Sequence, residues 1–213
     1  MINNTLLKTL QEKKLAEDGW HLGVTDGDNQ IVCFLELIST QQIKREEIIS
    51  EMTSWRQKYR EYFFSQFLPT KPKTYSWLRH VYLSNPRHFL FLIREDNYYI
   101  GNLGFKIISD IEVEIDNVVR AKDSSCQKIM YFSLRKLIYF CFHSLHAELC
   151  TLSVFSDNYR AINLYTRLGF EKIKEYPLFL SVKEDTIVYG TEAQGNATNR
   201  KMLKMQLLPI NFV

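Results

Sequence analysis

Glycine and proline are scarce, 8 and 5 among 213 residues. No segment reads as a glycine- or proline-rich linker, and no repeat or low-complexity tract is present, so the chain is read as one domain over residues 39–213 with an N-terminal extension over 1–38. The cysteines are few and far apart: Cys33, Cys126, Cys141 and Cys150 form no CxxC or Cys/His ligand spacing. That argues against a disulfide scaffold and a metal site, and it predicts reduced thiols in a cytoplasmic protein. The histidines at 21, 80, 88, 143 and 146 are scattered; His143, inside an apolar helical pattern, reads as a core or edge residue rather than a ligand. Basic tracts are missing too. The net charge is +3 with alternating signs, which predicts no nucleic-acid partner and leaves only solubility or an anionic small ligand to explain the surplus. The apolar run "LIYFCF" at 137–142 is far too short to span a bilayer, and the first residues lack a signal-peptide apolar block, so no membrane role is expected. The triplet "NAT" at 196–198 matches a glycosylation acceptor but is common by chance.

What is abundant is core-forming material, 46% hydrophobic and 14% aromatic. Residues 4–17 predict an amphipathic helix with Leu6, Leu7, Leu10 and Leu15 on its apolar face. Two short strands, "WHLGV" and "IVCFLELI", flank the turn "TDGDN". Helical spacing then covers 40–68 through Ile43, Ile48, Ile49, Met52, Trp55, Tyr59, Phe63 and Phe67, and "TYSWLRHVYL" predicts another helix. The period changes at His88: "HFLFLIRE" and "YYIGNLGFKII" predict an antiparallel pair joined by "DN", with "DIEVEIDNVVR" as a third strand. An apolar helix follows over about 127–145, then the strand "ELCTLSVF", a short helix, and the strands "EKIKEYPLFLSV" and "RKMLKMQLLP" around a polar connection. This order predicts an α+β fold with a mixed, mainly antiparallel central sheet flanked by helices.

The short helix lies in "VFSDNYRAINLYTRLGF", residues 154–170. Asp157 or Asn158 can cap it, Ala161, Leu164, Tyr165 and Leu168 share one face, and Gly169 suits a left-handed C-terminal position. A phenol on an apolar face needs a partner or a task, and an ordinary core helix whose Tyr finds a partner is the bland alternative. Val154, Asn158, Ala161, Leu164, Tyr165, Gly169 and Phe170 fall in register with a signature block of the GCN5-related N-acetyltransferases, the GNAT superfamily, and the sequence closely resembles it over about 88–208. The resemblance implies a GNAT-like fold and direct acetyl transfer from acetyl-CoA to a primary amine, without an acyl-enzyme. It implies that the Tyr165 hydroxyl sits beside the thioester sulfur, and that Asn158 lies at the coenzyme site. A looser likeness in "EIDNVVR", the upstream "SWR…FFSQF" region and "VFSDNYRAI" is to members that acetylate amino sugars in bacterial surface-polysaccharide pathways.

The family's diphosphate turn is glycine-rich, whereas here it reads "AKDSSCQKIM". Alignment through "LRKLI" puts Lys128 and Met130 at the small-residue positions and Ser125 at the Gln/Arg position. The resemblance still implies coenzyme contacts from Asn117, Val118, Val119 and Arg120 and from Ser125, Cys126, Gln127, Lys128, Ile129 and Met130, with "DSS" free to cap the helix; a plain capped helix is the alternative. Glu114 and Asp116, two apart, share one strand face and are the candidate bases; an exposed polar face explains them equally well. Backbone amides around Asn117 to Val119 are the expected oxyanion donors. Cys126 is not read as a nucleophile. Trp55 and Arg56 could border an acceptor pocket, although Arg56 reads first as a surface residue; the stripe Trp55, Tyr59, Phe63 and Phe67 reads first as core, and Tyr59, Tyr62 or Trp77 could stack on a sugar ring or base. The acceptor is predicted to be a small amine, foremost an amino sugar or nucleotide-linked amino sugar. A protein or peptide amine, and a non-catalytic acyl-CoA-binding scaffold, are the alternatives. Residues 1–38 could pad the sheet, form a homodimer contact or be a remnant of a fused neighbour.

Overall fold

The computed structural model describes residues 1–16, 19–193 and 195–212. Residue 17, at the end of the expected first helix, and residue 194, in the expected polar connection, lie outside them. The helices are α1 (Asn4–Leu15), α2 (Glu46–Lys58), α3 (Lys71–Trp77), α4 (Ile129–Tyr139) and α5 (Tyr159–Arg167). The strands are β1 (His21–Thr25), β2 (Ile31–Leu37), β3 (Ser65–Gln66), β4 (His88–Glu95), β5 (Tyr98–Ile107), β6 (Glu112–Arg120), β7 (Leu149–Phe155), β8 (Glu171–Lys183), β9 (Thr186–Gly190) and β10 (Asn196–Leu207). They form one sheet in the order β1-β2-β4-β5-β6-β7-β10-β8-β9-β3. The fold is mixed α+β, and its sheet is antiparallel except between β6 and β7. Residues 21–37 supply two strands of that sheet, with β2 paired to β4.

The continuous apolar run of β4 reflects burial on both faces. Phe89, Phe91 and Ile93 point into a core shared with Leu10 of α1 and Ile129, Leu134 and Leu137 of α4. Leu90 and Leu92 point the other way, to Ile48, Met52 and Trp55 of α2 and to Leu78 and Tyr82. The sheet thus separates one helix layer of α1 and α4 from a second of α2 and α3. Among the described residues no helix is long and apolar enough to cross a membrane.

Several expectations need correction. Leu15 is 65% exposed, and the next residue back, Lys14, is buried instead. Its ammonium donates to the carbonyls of Tyr82 (2.8 Å), Asn85 (2.7 Å) and His88 (3.2 Å), and it lies 4.6 Å from the Phe89 ring centroid. Three carbonyls and a ring face replace the water that a lysine normally keeps. The helix expected over 40–68 ends at Lys58. Beyond it the chain is drawn off by pairing: β3 joins β9, and the Tyr189 N–H donates to the Phe64 carbonyl at 2.7 Å. The polar connection expected before the last strand therefore contains β9, a short edge strand whose pattern is too brief to read alone. The helix expected over 127–145 is α-helical only over Ile129–Tyr139 and widens to a π-type turn over Phe140–Ser144, which lets Phe140, Cys141 and Phe142 all be buried. His143 is exposed and lies against Tyr139, with ring centroids 4.2 Å apart.

Candidate active site

β6 and β7 run parallel and pair over Glu112–Glu114 and Leu149–Thr151 only. Beyond that point β7 stays paired with β10 as far as Phe155, while β6 follows β5, so the two strands part. The parting opens onto a cleft of about 650 Å³, the size of a small-molecule site.

A bulge in β6 shapes its floor. Asn117 has φ +49, a conformation that asparagine tolerates better than most residues, and the β5–β6 register slips between Asn102 and Gly104. The Asn102 side chain donates to the Asn117 carbonyl at 2.6 Å and pins the bulge. Gly101 is required opposite it, because a Cβ there would lie 2.1 Å from the Val119 carbonyl oxygen. The bulge turns the Asn117 amide toward Asp116 and Tyr82. Its Nδ2 donates to Asp116 Oδ2 at 2.7 Å and to the Tyr82 hydroxyl at 2.5 Å. The Tyr82 hydroxyl donates to the same Asp116 oxygen at 3.2 Å, and Lys106 Nζ lies 2.9 Å from it. Three donors thus converge on Oδ2 and leave Oδ1 as the open acceptor. Glu114, on the same strand face, pairs with Lys204 at 2.9 Å and stands 3.9 Å from Lys106. Val113 and Ile115 are buried behind them.

Tyr165 reaches the cleft from α5. Asn158 caps this helix by accepting from the Ala161 N–H at 3.2 Å. Gly169, at φ +95, closes its other end: the Phe170 N–H donates to the Tyr165 carbonyl and the Gly169 N–H to that of Thr166, each at 3.0 Å. Tyr165 is therefore held at both ends of its helix. It is 7% exposed, its ring meets Phe170 edge-on at 6.0 Å, and its hydroxyl has no protein partner among the described residues. Burial, and after it the charge of Asp116, push the phenol above its usual range, so it keeps its proton at neutral pH.

The turn before α4 differs from expectation. Ser124 and Ser125 do not cap the helix; Lys128 occupies the cap position with no side-chain hydrogen bond. Instead both hydroxyls donate to Glu95 Oε1, at 2.9 and 2.5 Å, and the Ser125 N–H joins them at 3.1 Å. Burial pushes the Glu95 carboxyl up, but the hydrogen bonds from Ser125, Ser124 and the backbone outweigh it and hold the group below its ordinary value. Ser125 and Cys126 consequently lie away from the cleft lining, and Ile129 points into the core. Glu114, Asp116, Asn117, Val118, Val119, Arg120, Gln127, Lys128, Met130, Asn158 and Tyr165 do line it. Among the described residues, the N–H groups of Gln127, Lys128, Met130 and Tyr131 have no protein acceptor. With Lys128, Arg160 and Arg167 they make this end of the cleft receptive to an anion.

Tyr82, Lys106 and His88 are lining residues that escaped the sequence reading. Tyr82 and Lys106 organise Asp116; the visible signal for Tyr82 was the one that drew attention to Tyr165, a phenol on an apolar helical face. His88 also lines the cleft, and burial, then Lys106, lower its pKa, so it is neutral at pH 7. Arg56 is not a surface residue: it is half-buried, with its guanidinium 3.5 Å from the Phe63 ring centroid. Tyr59, Tyr62 and Trp77 line the same end.

A cleft between parting parallel strands, with free amides at one end and a protonated phenol on its wall, has the features that an acyl-CoA-dependent acyltransferase needs. The family model described as "Acetyltransferase (GNAT) family" matches residues 52–170, and the chain belongs to that family. It is an acetyltransferase of GNAT type, a family that uses acetyl-CoA. No curated protein matches the chain. Among solved structures, a probable GNAT-family acetyltransferase from Chromobacterium violaceum has a TM-score of 0.64 at 14% identity, over 91% of this chain and 92% of that one. Spermidine N-acetyltransferase from Vibrio cholerae, in complex with CoA and spermine, gives 0.61 at 15% identity, over 83% and 96%. The Campylobacter jejuni N-acetyltransferase PseH gives 0.50 at 16%, over 78% and 92%. At these identities the likeness establishes the fold.

Proposed function

We propose that the protein transfers an acetyl group from acetyl-CoA directly to the primary amine of a small molecule, foremost an amino sugar or nucleotide-linked amino sugar. The observation that carries this reading is the convergence of Tyr165 and Asp116 on one cleft, at the point where β6 and β7 separate. The residues present fit the coenzyme. The unpaired amides at the start of α4, with Lys128, Arg160 and Arg167, suit its phosphates, and the strand edges beyond Glu114 and Thr151 suit its amide-bearing arm.

When bound, acetyl-CoA supplies an acetyl group activated as a thioester. Asp116 Oδ1 accepts the proton that the acceptor amine must lose, directly or through water. Backbone amides near the Asn117 bulge stabilise charge developing on the carbonyl oxygen. Tyr165 donates its hydroxyl hydrogen to the departing sulfur, which leaves as a thiol. Asp116 lies beyond the last β6–β7 pair, where the strands part, with Oδ2 fixed by three donors and Oδ1 open, whereas Glu114 lies within the paired stretch and is tied to Lys204; this favours Asp116 as the base.

Two features support a small acceptor. The segment from Tyr59 to Ser65 leaves α2, lines the cleft and reaches β9 at the far side of the sheet, where Arg200 donates to the Glu61 carbonyl at 3.0 Å. A cleft walled on this side by such a segment suits a compact ligand better than a polypeptide. Trp77, Tyr62 and Phe63 offer ring faces beside the polar Tyr82 and Asn117, a pairing suited to a sugar. Arg56 and Lys106 on this side oppose a polyamine. The test is to incubate the protein with acetyl-CoA and, separately, an amino sugar, a nucleotide-linked amino sugar, spermidine and a peptide with a free N-terminus, following thiol release and product mass. Acetylated sugar is the expected product. Preferential acetylation of spermidine or of the peptide would refute the acceptor assignment, and failure of every amine to be acetylated would refute the activity.

A further inference from the structure

Three cations on the acceptor side of the molecule have carboxylate partners. Lys106 pairs with Asp116, Lys204 with Glu114, and Arg200 with Asp157 at 3.1 Å. Arg56 does not. Among the described residues no carboxylate lies within ion-pair distance of it. One of its five N–H donors is used, by the Ser65 carbonyl at 2.9 Å. Its flat faces are held by Phe63 at 3.5 Å, Phe67 at 5.3 Å and Trp77 at 5.9 Å from the guanidinium carbon to each ring centroid. Burial lowers its pKa to about 10, with only Tyr82 and then Asp116 opposing the fall. The charge is therefore costly where it sits. The aromatic cage fixes its direction, and Arg56 borders the cleft that Trp77 and Tyr82 also line. A guanidinium immobilised, partly desolvated and unpaired beside a binding cleft is arranged to receive a planar or tetrahedral oxyanion.

We propose that Arg56 is the specificity-determining residue for an acceptor bearing a phosphate or carboxylate group in addition to its reactive amine, with that group bound to the guanidinium fork. This rests on the acetyl-transfer reading above and narrows its substrate class: a neutral amino sugar is a poor acceptor, and an anionic ester or acid of one is the true type. Asp116, already paired with Lys106, does not compete for Arg56. The anion closes the charge balance of a cleft wall that otherwise has a surplus cation.

The experiment is calorimetric titration of the coenzyme A-saturated protein with matched ligands: glucosamine, its 1-phosphate, its 6-phosphate, its uridine diphosphate ester and the corresponding uronic acid. The esters and the acid separate phosphate from carboxylate recognition. At least one anionic ligand is expected to bind roughly 30-fold or more tightly than glucosamine, the scale of a buried, hydrogen-bonded charge pair. Arg56→Gln is expected to abolish that preference, and Arg56→Lys, which keeps the charge but loses the planar fork, to retain only part of it. If Arg56→Gln fails to fold, the Arg56→Lys result decides alone. Equal affinity for all five ligands, or a preference undiminished in the variants, overturns the inference and leaves Arg56 as an aromatic clamp. Coenzyme A affinity is measured first on the unmodified protein. Absence of binding there overturns the acetyl-transfer reading, and this inference with it, whereas coenzyme binding without anion preference overturns this inference alone.

Discussion

Replacing Tyr165 by phenylalanine separates chemistry from packing. The ring is buried against Phe170, and its hydroxyl bonds to no described protein atom. Phenylalanine keeps the ring contacts and orphans no donor or acceptor, so the stability of the fold is expected to stay within about 1 kcal/mol of the parent. In the proposed mechanism the chemical step loses a donor used only as the sulfur takes up charge. Loss of such a group costs roughly 10²- to 10⁴-fold in kcat, about 3–5 kcal/mol of barrier. KM is expected to stay nearly constant, since the hydroxyl stabilises the transition state rather than the ground state. The assay is initial-rate thiol release at saturating acetyl-CoA, with thermal melting of the same preparation. The shifted phenol adds a further readout. Because Tyr165 holds its proton above the usual phenol range, its titration produces no alkaline fall in rate below about pH 10. A variant with kcat within about threefold of the parent would refute the donor role, a factor too small for a general acid. A variant that melts well below the parent would show that the hydroxyl holds structure instead.

Two further outcomes follow from the same geometry. Asp116→Asn is expected to lower kcat by roughly 10²-fold or more, while Glu114→Gln costs about tenfold or less, because Asp116 alone is organised by three donors next to Tyr165; the rates of the two variants under identical conditions rank the carboxylates. Lys14 is held down to about pKa 8 by burial, against 10.5 when free, so from pH 8 to 10.5 the unfolded chain binds the extra proton and this group makes stability rise with pH. The rise is at most about 3 kcal/mol, limited by the three carbonyls that favour the ammonium, and denaturant melts should show it in the parent and lose it in Lys14→Met.

The elements that were legible in the sequence are those whose signal is local. The strand from Val113 to Asp116 alternates cleanly because one face meets the core and the other the cleft. The block around α5 reads directly because its cap, its buried face and its left-handed terminus all lie within a few residues of Tyr165. What was not legible depends on partners distant in sequence. The end of α2 is set by pairing with β9 more than a hundred residues later, and helical spacing through Phe63 and Phe67 could not reveal it. Lys14 is buried because the carbonyls at the end of the second helix layer turn toward it, and no pattern within α1 encodes that. Arg56 looked exposed because its cage comes from Phe63, Phe67 and Trp77, which meet only when the chain doubles back.

The turn without glycine tests the resemblance most sharply, and backbone geometry answers it. No residue from 121 to 131 has a positive φ, so the path of this turn makes no conformational demand that only glycine meets. Glycine's other use is to let an anion approach the backbone, and that requires amides that are both free and steady. Here Glu95 steadies the turn from the β4 side by gathering the Ser124 and Ser125 hydroxyls and the Ser125 N–H. Among the described residues it leaves the amides at Gln127, Lys128, Met130 and Tyr131 unclaimed. Met130 turns largely inward, and Lys128 adds a positive charge where an anion is expected. A serine–carboxylate anchor outside the cleft can thus hold the turn in place while side chains replace the glycines, and in the proposed coenzyme site the charge of Lys128 takes over what the absence of side chains supplies in a glycine-rich turn.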